Sequence, residues 1–217
     1  RNADKGEENM KTSTQIITTN TDNNVDGVIN YRYSDTNTYD QSGNQLTDVY
    51  EYDDNADGTV DSRYSNTYIY DQRGNELTSV SESDDNGDGV INYRYSDTNT
   101  YDQRGNQLTD VSEFDDNGDG TVDSRFSSTN TYDQRGNQLT NGWETDDNAD
   151  GAIDYRYSNT NTYDRRGNQL TSVSETDIDG DGLLNYRYSS TNTYDQRGNQ
   201  LTSIYEYDDN ADGTVDS

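Results

Sequence analysis

The sequence predicts an all-β repeat array, and three observations predict it. The segment Asp-x-Asn-x-Asp-Gly, with Asp for Asn in one copy, starts at Asp22, Asp53, Asp84, Asp115, Asp146, Asp177 and Asp208, always 31 residues after the last. A fixed period of this length marks a repeat architecture. Between these segments Tyr and Thr alternate with period two, the pattern of half-buried strands. An Asp-x-x-Gly-Asn segment divides each stretch in two, as a hairpin turn would. The expected architecture is a set of tandem antiparallel β-hairpins in an elongated twisted sheet, with an acidic loop between hairpins. A parallel β-solenoid with one coil per repeat is the alternative.

Six full repeats run 22–52, 53–83, 84–114, 115–145, 146–176 and 177–207, and residues 208–217 begin a seventh. Residues 1–21 read as a degenerate half-repeat, in which Asp4-Lys5-Gly6 stands for the turn and Met10 to Thr21 for the strand after it. Ser217 falls where a new strand is due, so the array is expected to continue beyond it.

In the repeat 177–207, Leu184 to Tyr194 is the first strand, with Leu184, Tyr186, Tyr188, Asn192 and Tyr194 on one face. Asp195 to Asn199 follows as a type I turn closed by a left-handed Gly198, and the second strand runs from about Gln200 to Tyr207. Folding repeat 22–52 about the midpoint of Gln41 and Ser42 pairs Tyr39 with Asn44, Asn37 with Leu46, Tyr33 with Tyr50 and Arg32 with Glu51. The same reading pairs an Arg and a Glu inside every repeat, through Arg187 and Glu206.

Composition allows little conventional core. Only 25% of residues are hydrophobic, 20 of the 217 are Tyr, and the net charge is −29. That balance ordinarily accompanies disorder, because too little apolar surface is buried to offset chain entropy. Here the acidic residues are clustered at loop positions where oxygen ligands would converge on a hard cation. Seven Ca²⁺ would add 14 charges and leave −15. The chain is therefore expected to order only with the metal present.

The ligand positions are one, three, five and nine of each loop, with Gly at six permitting the sharp turn. In the first loop they are Asp22, Asn24, Asp26 and Asn30; in the second, Asp53, Asn55, Asp57 and Asp61. The third has Asp84, Asn86, Asp88 and Asn92, and the fourth Asp115, Asn117, Asp119 and Asp123. Next come Asp146, Asn148, Asp150 and Asp154, then Asp177, Asp179, Asp181 and Asn185. Asp208, Asn210, Asp212 and Asp216 complete the set. The carbonyl of Thr59 is expected to add position seven, while Val60 at position eight anchors the loop to the sheet. Position twelve is Tyr64 or its equivalent rather than a bidentate Glu, so further ligands must come from water or from residues such as Asp54 and Asp71. Fewer charged ligands place the affinity near ~10⁻⁴–10⁻³ M, the range of extracellular modules. Up to one structural Ca²⁺ per repeat is expected. One copy would be as well explained by Asp, Asn and Gly making a good turn; seven copies favour calcium.

The recurring Tyr-Asp-x-x-Gly-Asn-x-Leu-Thr, as in Tyr101 to Thr109 and Tyr194 to Thr202, resembles the YD repeat of Rhs and teneurin-like proteins. The resemblance implies β-hairpins joined into long spiralling sheets on secreted or surface proteins. The acidic segment resembles the loops of EF-hands, dockerins and thrombospondin type 3 repeats, although strands rather than helices flank it here. A calcium segment between hairpins departs from the YD pattern, which puts a closed toxin-enclosing shell in question.

These readings point to a structural role: part of a secreted bacterial surface fibre, matrix filament or adhesin. Self-assembly through open strand edges is expected, head to tail or laterally. A calcium-rigidified stalk or module that binds glycan or another cell is the competing class, and part of an Rhs-like toxin shell is the third. No enzyme is expected: with neither His nor Cys, only carboxylate or metal chemistry remains, and identical sites in every repeat do not resemble one active site. An acidic surface disfavours nucleic acid, which needs Lys and Arg to displace counterions. No apolar run long enough for membrane insertion is present. Trp143, beside Gly142 in the one irregular repeat, is a packing substitution or a local contact point. Thr98 to Thr100 resembles ice-binding Thr rows, though Thr is also a good strand residue.

Overall fold

A computed structural model of the chain describes residues 12–23 and 27–216. The calcium ligands expected at Asn24 and Asp26 lie outside those residues, as does the turn expected at Asp4 to Gly6. Thirteen strands of nine residues form one antiparallel sheet whose order follows the sequence. They are β1 (Ser13–Thr21), β2 (Tyr31–Tyr39), β3 (Gln45–Asp53), β4 (Ser62–Tyr70), β5 (Glu76–Asp84), β6 (Tyr93–Tyr101) and β7 (Gln107–Asp115). After these come β8 (Ser124–Tyr132), β9 (Gln138–Asp146), β10 (Tyr155–Tyr163), β11 (Gln169–Asp177), β12 (Tyr186–Tyr194) and β13 (Gln200–Asp208). Antiparallel pairing between successive strands excludes the parallel solenoid. The described residues contain no helix. Contacts divide the chain into two compact units, Arg1–Ser96 with Asp115–Thr121, and Asp97–Phe114 with Val122–Ser217.

The hairpin turns form as expected. Asp40 accepts from Gly43 N at 3.2 Å, its own N–H donates to Asn44 O at 2.9 Å, and Gly43 sits at φ 90°. Such a φ suits glycine, which has no Cβ to clash. The Asp40 carboxylate caps the turn, accepting from Ser42 N and Asn44 N at 2.8 Å each.

The register differs from the expected one. Arg32 stands opposite Asp53, Tyr33 opposite Tyr52, Asp35 opposite Tyr50 and Asn37 opposite Asp48, while Tyr39 pairs with Gln45. Two irregularities act together: the left-handed glycine lengthens the turn, and a bulge between Thr38 and Tyr39 leaves Leu46 unpaired. The pairing therefore slides by two residues, which preserves the faces but changes every partner. The strand expected from Leu184 starts at Tyr186, with Leu184 in the loop.

Register also fixes how neighbouring hairpins meet. In the first unit Thr36 faces Val49, which faces Ser65, 29 residues on from Thr36 and two fewer than the repeat. In the second unit Ser127, Glu144 and Arg156 give the same interval. Each hairpin is thus displaced by two residues, about 6.7 Å, over two strand spacings of about 4.8 Å each. The resulting slant of roughly 35° lies at the lower end of the strand tilts found in barrels. Because of it, an Arg in one hairpin lines up with a Glu from the hairpin before and with the Asp that ends its own hairpin and opens the next loop.

No hydrophobic side chain is buried among the described residues; the buried side chains are polar. Asn37, Asn99, Asn130, Asn161 and Asn192, at equivalent positions of five repeats, are exposed by only 6–8%, as is Asn66. Each buried amide needs partners, and they lie within and between hairpins. Asn161 Oδ1 accepts from Gln169 at 2.7 Å in its own hairpin. Asn161 Nδ2 and the Tyr163 hydroxyl both donate to Gln138 O of the preceding hairpin, at 3.3 and 3.0 Å. On the opposite face Thr hydroxyls pair across five hairpins, as in Thr162 and Thr171 at 2.6 Å, while Ile69 stands opposite Thr78 in the hairpin of β4 and β5. The Tyr face is half-buried, and its rings pack in clusters. Tyr33 packs on Tyr50 and Tyr52, and Trp143 stacks on Tyr155 at 4.7 Å and touches Phe126 and Tyr157. No helix is long and apolar enough to cross a membrane, which leaves β-barrel insertion unaddressed.

Candidate metal centre

Each loop begins where an even turn of alternation ends, at the last residue of a strand. Asp53, Asp84, Asp115, Asp146, Asp177 and Asp208 close β3, β5, β7, β9, β11 and β13, and are exposed by only 3–7%. Asp22, just after β1, is half-buried. The carboxylate at position one accepts from the N–H of Gly at position six in all seven loops, from 2.7 Å at Gly27 to 2.9 Å at Gly58, Gly182 and Gly213. This bond curls the loop around its first carboxylate.

Positions three and five lie on the exposed rim. Asp57 N donates to Asn55 Oδ1 at 2.8 Å, and Thr59 N donates to Asp57 Oδ1 at 2.8 Å. Hydrogen bonds from the Thr59 hydroxyl and backbone hold the Asp57 carboxyl below the usual carboxylate range. Bonds from Thr121 and Thr214 act likewise on Asp119 and Asp212. These carboxylates stay ionised in mild acid, the state a cation requires.

Position nine braces the loop base. Asp61 Oδ2 accepts from Asp54 N at 2.7 Å, and Asn92, Asp154, Asn185 and Asp216 accept from the N–H of position two in the same way. Its backbone N–H returns to the strand, as in Asp61 N to Tyr52 O at 2.7 Å. An Asp here keeps a second oxygen for a ligand, whereas an Asn uses its single carbonyl oxygen as the brace.

Three expectations need correction. Asp71 caps the hairpin turn, accepting from Arg73 N, Asn75 N and Asn75 Nδ2, and β4 separates it from the loop at Asp53 by about 30 Å. It supplies no ligand. Val60 does not anchor its loop by burial: it is 38% exposed, and Leu184 and Val215 are 40% and 53% exposed. The expected Arg–Glu pairs do not form inside a repeat. Arg63 meets Glu51 of the preceding hairpin at 3.7 Å, and Arg94, Arg125, Arg156 and Arg187 meet Glu82, Glu113, Glu144 and Glu175 at 3.3–3.7 Å.

Asp177, Asp179 and Asp181 bring carboxylate oxygens within 4.8 Å of one another, close enough to hold one metal ion. The other loops carry Asn at position three, so theirs is a mixed donor set. Asp177 Oδ1 is buried without a hydrogen-bond partner, an orphan acceptor in the loop whose positions one, three and five are all carboxylates. Position four was not singled out as a site position. It is left-handed in the six loops where it is described: Ala56, Ala149 and Ala211 at φ 50–56°, and Gly87, Gly118 and Gly180 at φ 65–67°. The signal in the sequence was that only Ala or Gly stands there from Ala56 onward.

No family model and no curated protein matches the chain. Among solved structures, the Tc holotoxin pore of Photorhabdus luminescens aligns over 90% of this chain and 12% of its own, with 12% identity and a TM-score of 0.21. The chain therefore spans about an eighth of that toxin chain's length. A porin-like protein from Bacteroides uniformis aligns over 95% of this chain and 98% of its own, with 10% identity and a TM-score of 0.23.

Proposed function

We propose that the chain is a calcium-clasped structural repeat array, working outside the cell as a segment of a bacterial surface fibre, matrix filament or adhesin. The observation that carries this reading is a carboxylate exposed by no more than 7% at position one of every loop from Asp53 onward. Where every described apolar side chain is at least partly exposed, burying six carboxylates is costly unless positive charge compensates. The orphan Oδ1 of Asp177 is such a position. Oxygen donors alone, with rim positions open to water, suit Ca²⁺ better than Mg²⁺, which demands a tight octahedron. Calcium would supply charge neutralisation and loop closure, so its binding free energy would also be folding free energy. Sites of ~10⁻⁴–10⁻³ M affinity fill in extracellular calcium. The role is structural, and the sheet edges at β1 and β13 can accept a strand from the same chain or a second copy.

A second reading, a stalk that binds glycan, is favoured by exposed aromatic rings such as Tyr205 and Tyr207, at 54% and 46%. Far-UV circular dichroism during a calcium titration, with chelator reversal and electron microscopy of the end point, tests the proposal. Sheet that appears near millimolar calcium and filaments on the grid are the expected result. A sheet equally stable in chelator would overturn the calcium clasp, and a monomer retaining glycan would favour the stalk.

A further inference from the structure

The slanted register draws one charged row through each metal loop. In the first unit Ser34, Glu51, Arg63 and Asp84 stand opposite one another in succession across β2 to β5. In the second, Ser127, Glu144, Arg156 and Asp177 do so across β8 to β11. Every such row ends on the position-one carboxylate of a loop and places an arginine next to it. A guanidinium beside the first ligand competes with a metal ion for the same charge.

What each arginine does depends on the residue on its other side. Where that residue is Glu, the guanidinium turns to it: Arg156 Nε donates to Glu144 Oε2 at 3.3 Å, and Asp177 Oδ1 is left without a partner. Arg32 provides the contrast. Its neighbour in β1 is Asn20, which stands where the other rows have Glu. Arg32 turns the other way and meets Asp53, with Nη1 3.6 Å from Oδ2. The same Nη1 also lies 4.0 Å from where a Cβ of Gly58 would be, directly over the loop.

We propose that the glutamate two residues before each loop, such as Glu51 or Glu144, is a positioning residue that holds the next hairpin's arginine off the first metal ligand. Arg32, lacking such a glutamate, acts as an internal competitor at Asp53. This inference rests on the calcium reading and adds a regulation to it: one repeat sets the calcium affinity of the loop two repeats further on. The site at Asp53 is the weakest of those with a described arginine.

Calcium titration of the full chain followed by NMR tests this, because Gly58 N–H and Gly182 N–H each donate to a position-one carboxylate and report their own loops. Asn20→Glu should tighten the Asp53 site, and Glu144→Gln should weaken the Asp177 site, each by about two- to fivefold, as exposed ion pairs allow. In an Arg156→Gln background Glu144→Gln should have no further effect, since the arginine carries the coupling. An undiminished effect there would mean the glutamate acts only through its charge, and the proposal would fall. In the calcium-ordered sheet the Arg32 Nε–H signal should shift in Asn20→Glu; an unmoved signal would overturn the proposal independently of the affinities. Variants that leave both glycine titrations unchanged while calcium still binds would sink this inference alone. If neither glycine responds to calcium in the parent chain, the calcium reading fails and takes the inference with it.

Discussion

Gly180 packs directly on the backbone carbonyl of Ile153: a methyl group built at its Cα would stand 1.6 Å from that oxygen. The loop at Asp177 thus rests on the loop before it, and Gly87 and Gly118 approach Val60 and Ile91 in the same way. Gly180→Ala should destabilise the array by about 2–3 kcal/mol, combining left-handed strain with forced displacement of the lower loop. Ala149, at φ 51°, holds the same left-handed conformation with a Cβ already in place, and Ala149→Gly should be neutral or stabilising by less than about 1 kcal/mol. Urea midpoints in calcium compare the two, and equal stability of Gly180→Ala and the parent would mean the loops do not rest on one another.

The Tyr163 hydroxyl reaches from one hairpin to Gln138 O of the hairpin before it, at 3.0 Å. That carbonyl belongs to the residue paired with Tyr132 at the bulge. Tyr163→Phe keeps the ring and removes the donor, so it should cost about 1 kcal/mol. A thermal melt showing no loss would indicate that water replaces the hydroxyl.

Asp110 lies near Asp97 across β6 and β7, and Asn99 Nδ2 and Ser112 Oγ donate to Asp97. Burial, then Asp97 beside it, push the Asp110 carboxyl up to about 6. A raised folded-state value contributes stability that is fully present below the unfolded value of about 3.9 and is lost as pH rises through about 6. Asp110→Asn should therefore melt higher than the parent at pH 7.5, with the difference shrinking toward pH 5. A pH-independent difference would show that the two carboxyls do not share a proton.

Gly142 occupies a strand position that is Val49, Val80, Val111 or Val173 in other hairpins. A Cβ there would lie 3.5 Å from Tyr157 O, an ordinary contact, so the space for a side chain exists. Gly142→Val should stabilise the array by about 0.5–1 kcal/mol, because glycine weakens a strand interior through chain entropy. A lower melting temperature would point to a constraint from Trp143, which packs between Phe126 and Tyr157.

The hairpins were legible because their determinants are local. Asp40 caps the turn and Gly43 takes the left-handed conformation, and both are written in adjacent residues. Register was not legible, since the bulge at Leu46 depends on how Tyr39 and Thr38 pair after the turn has formed. The partner of Arg63 was hidden for a related reason: Glu51 belongs to another hairpin, and only the two-residue displacement brings them together. At the metal loops the sequence exposed the donor set and its spacing. It did not reveal that position nine serves as a backbone brace at Asp61, because that role depends on the N–H of Asp54.

The loop at Asp177 is the best placed to show what the donor set does. Asp179 makes it a cluster of three carboxylates, where the loop at Asp53 has Asn55 in the same place. Calcium affinity rises with the number of charged ligands when the loop frame is shared. The frame is shared here, since Gly182 and Gly58 each hold the first carboxylate at 2.9 Å. Relative to the loop at Asp84, which has Asn86 at position three and, like the Asp177 loop, Asn at position nine, the Asp177 loop carries one extra charge; it should fill at a several-fold lower calcium concentration than that loop, and Asp179→Asn should bring it level. Gly182 N–H read against Gly89 N–H in one NMR titration measures this, because Glu144 and Glu51 stand in equivalent places beside the arginines of both loops. Simultaneous filling in the parent chain would mean that position three does not touch the ion, and the donor set would then have to be sought elsewhere in the loop.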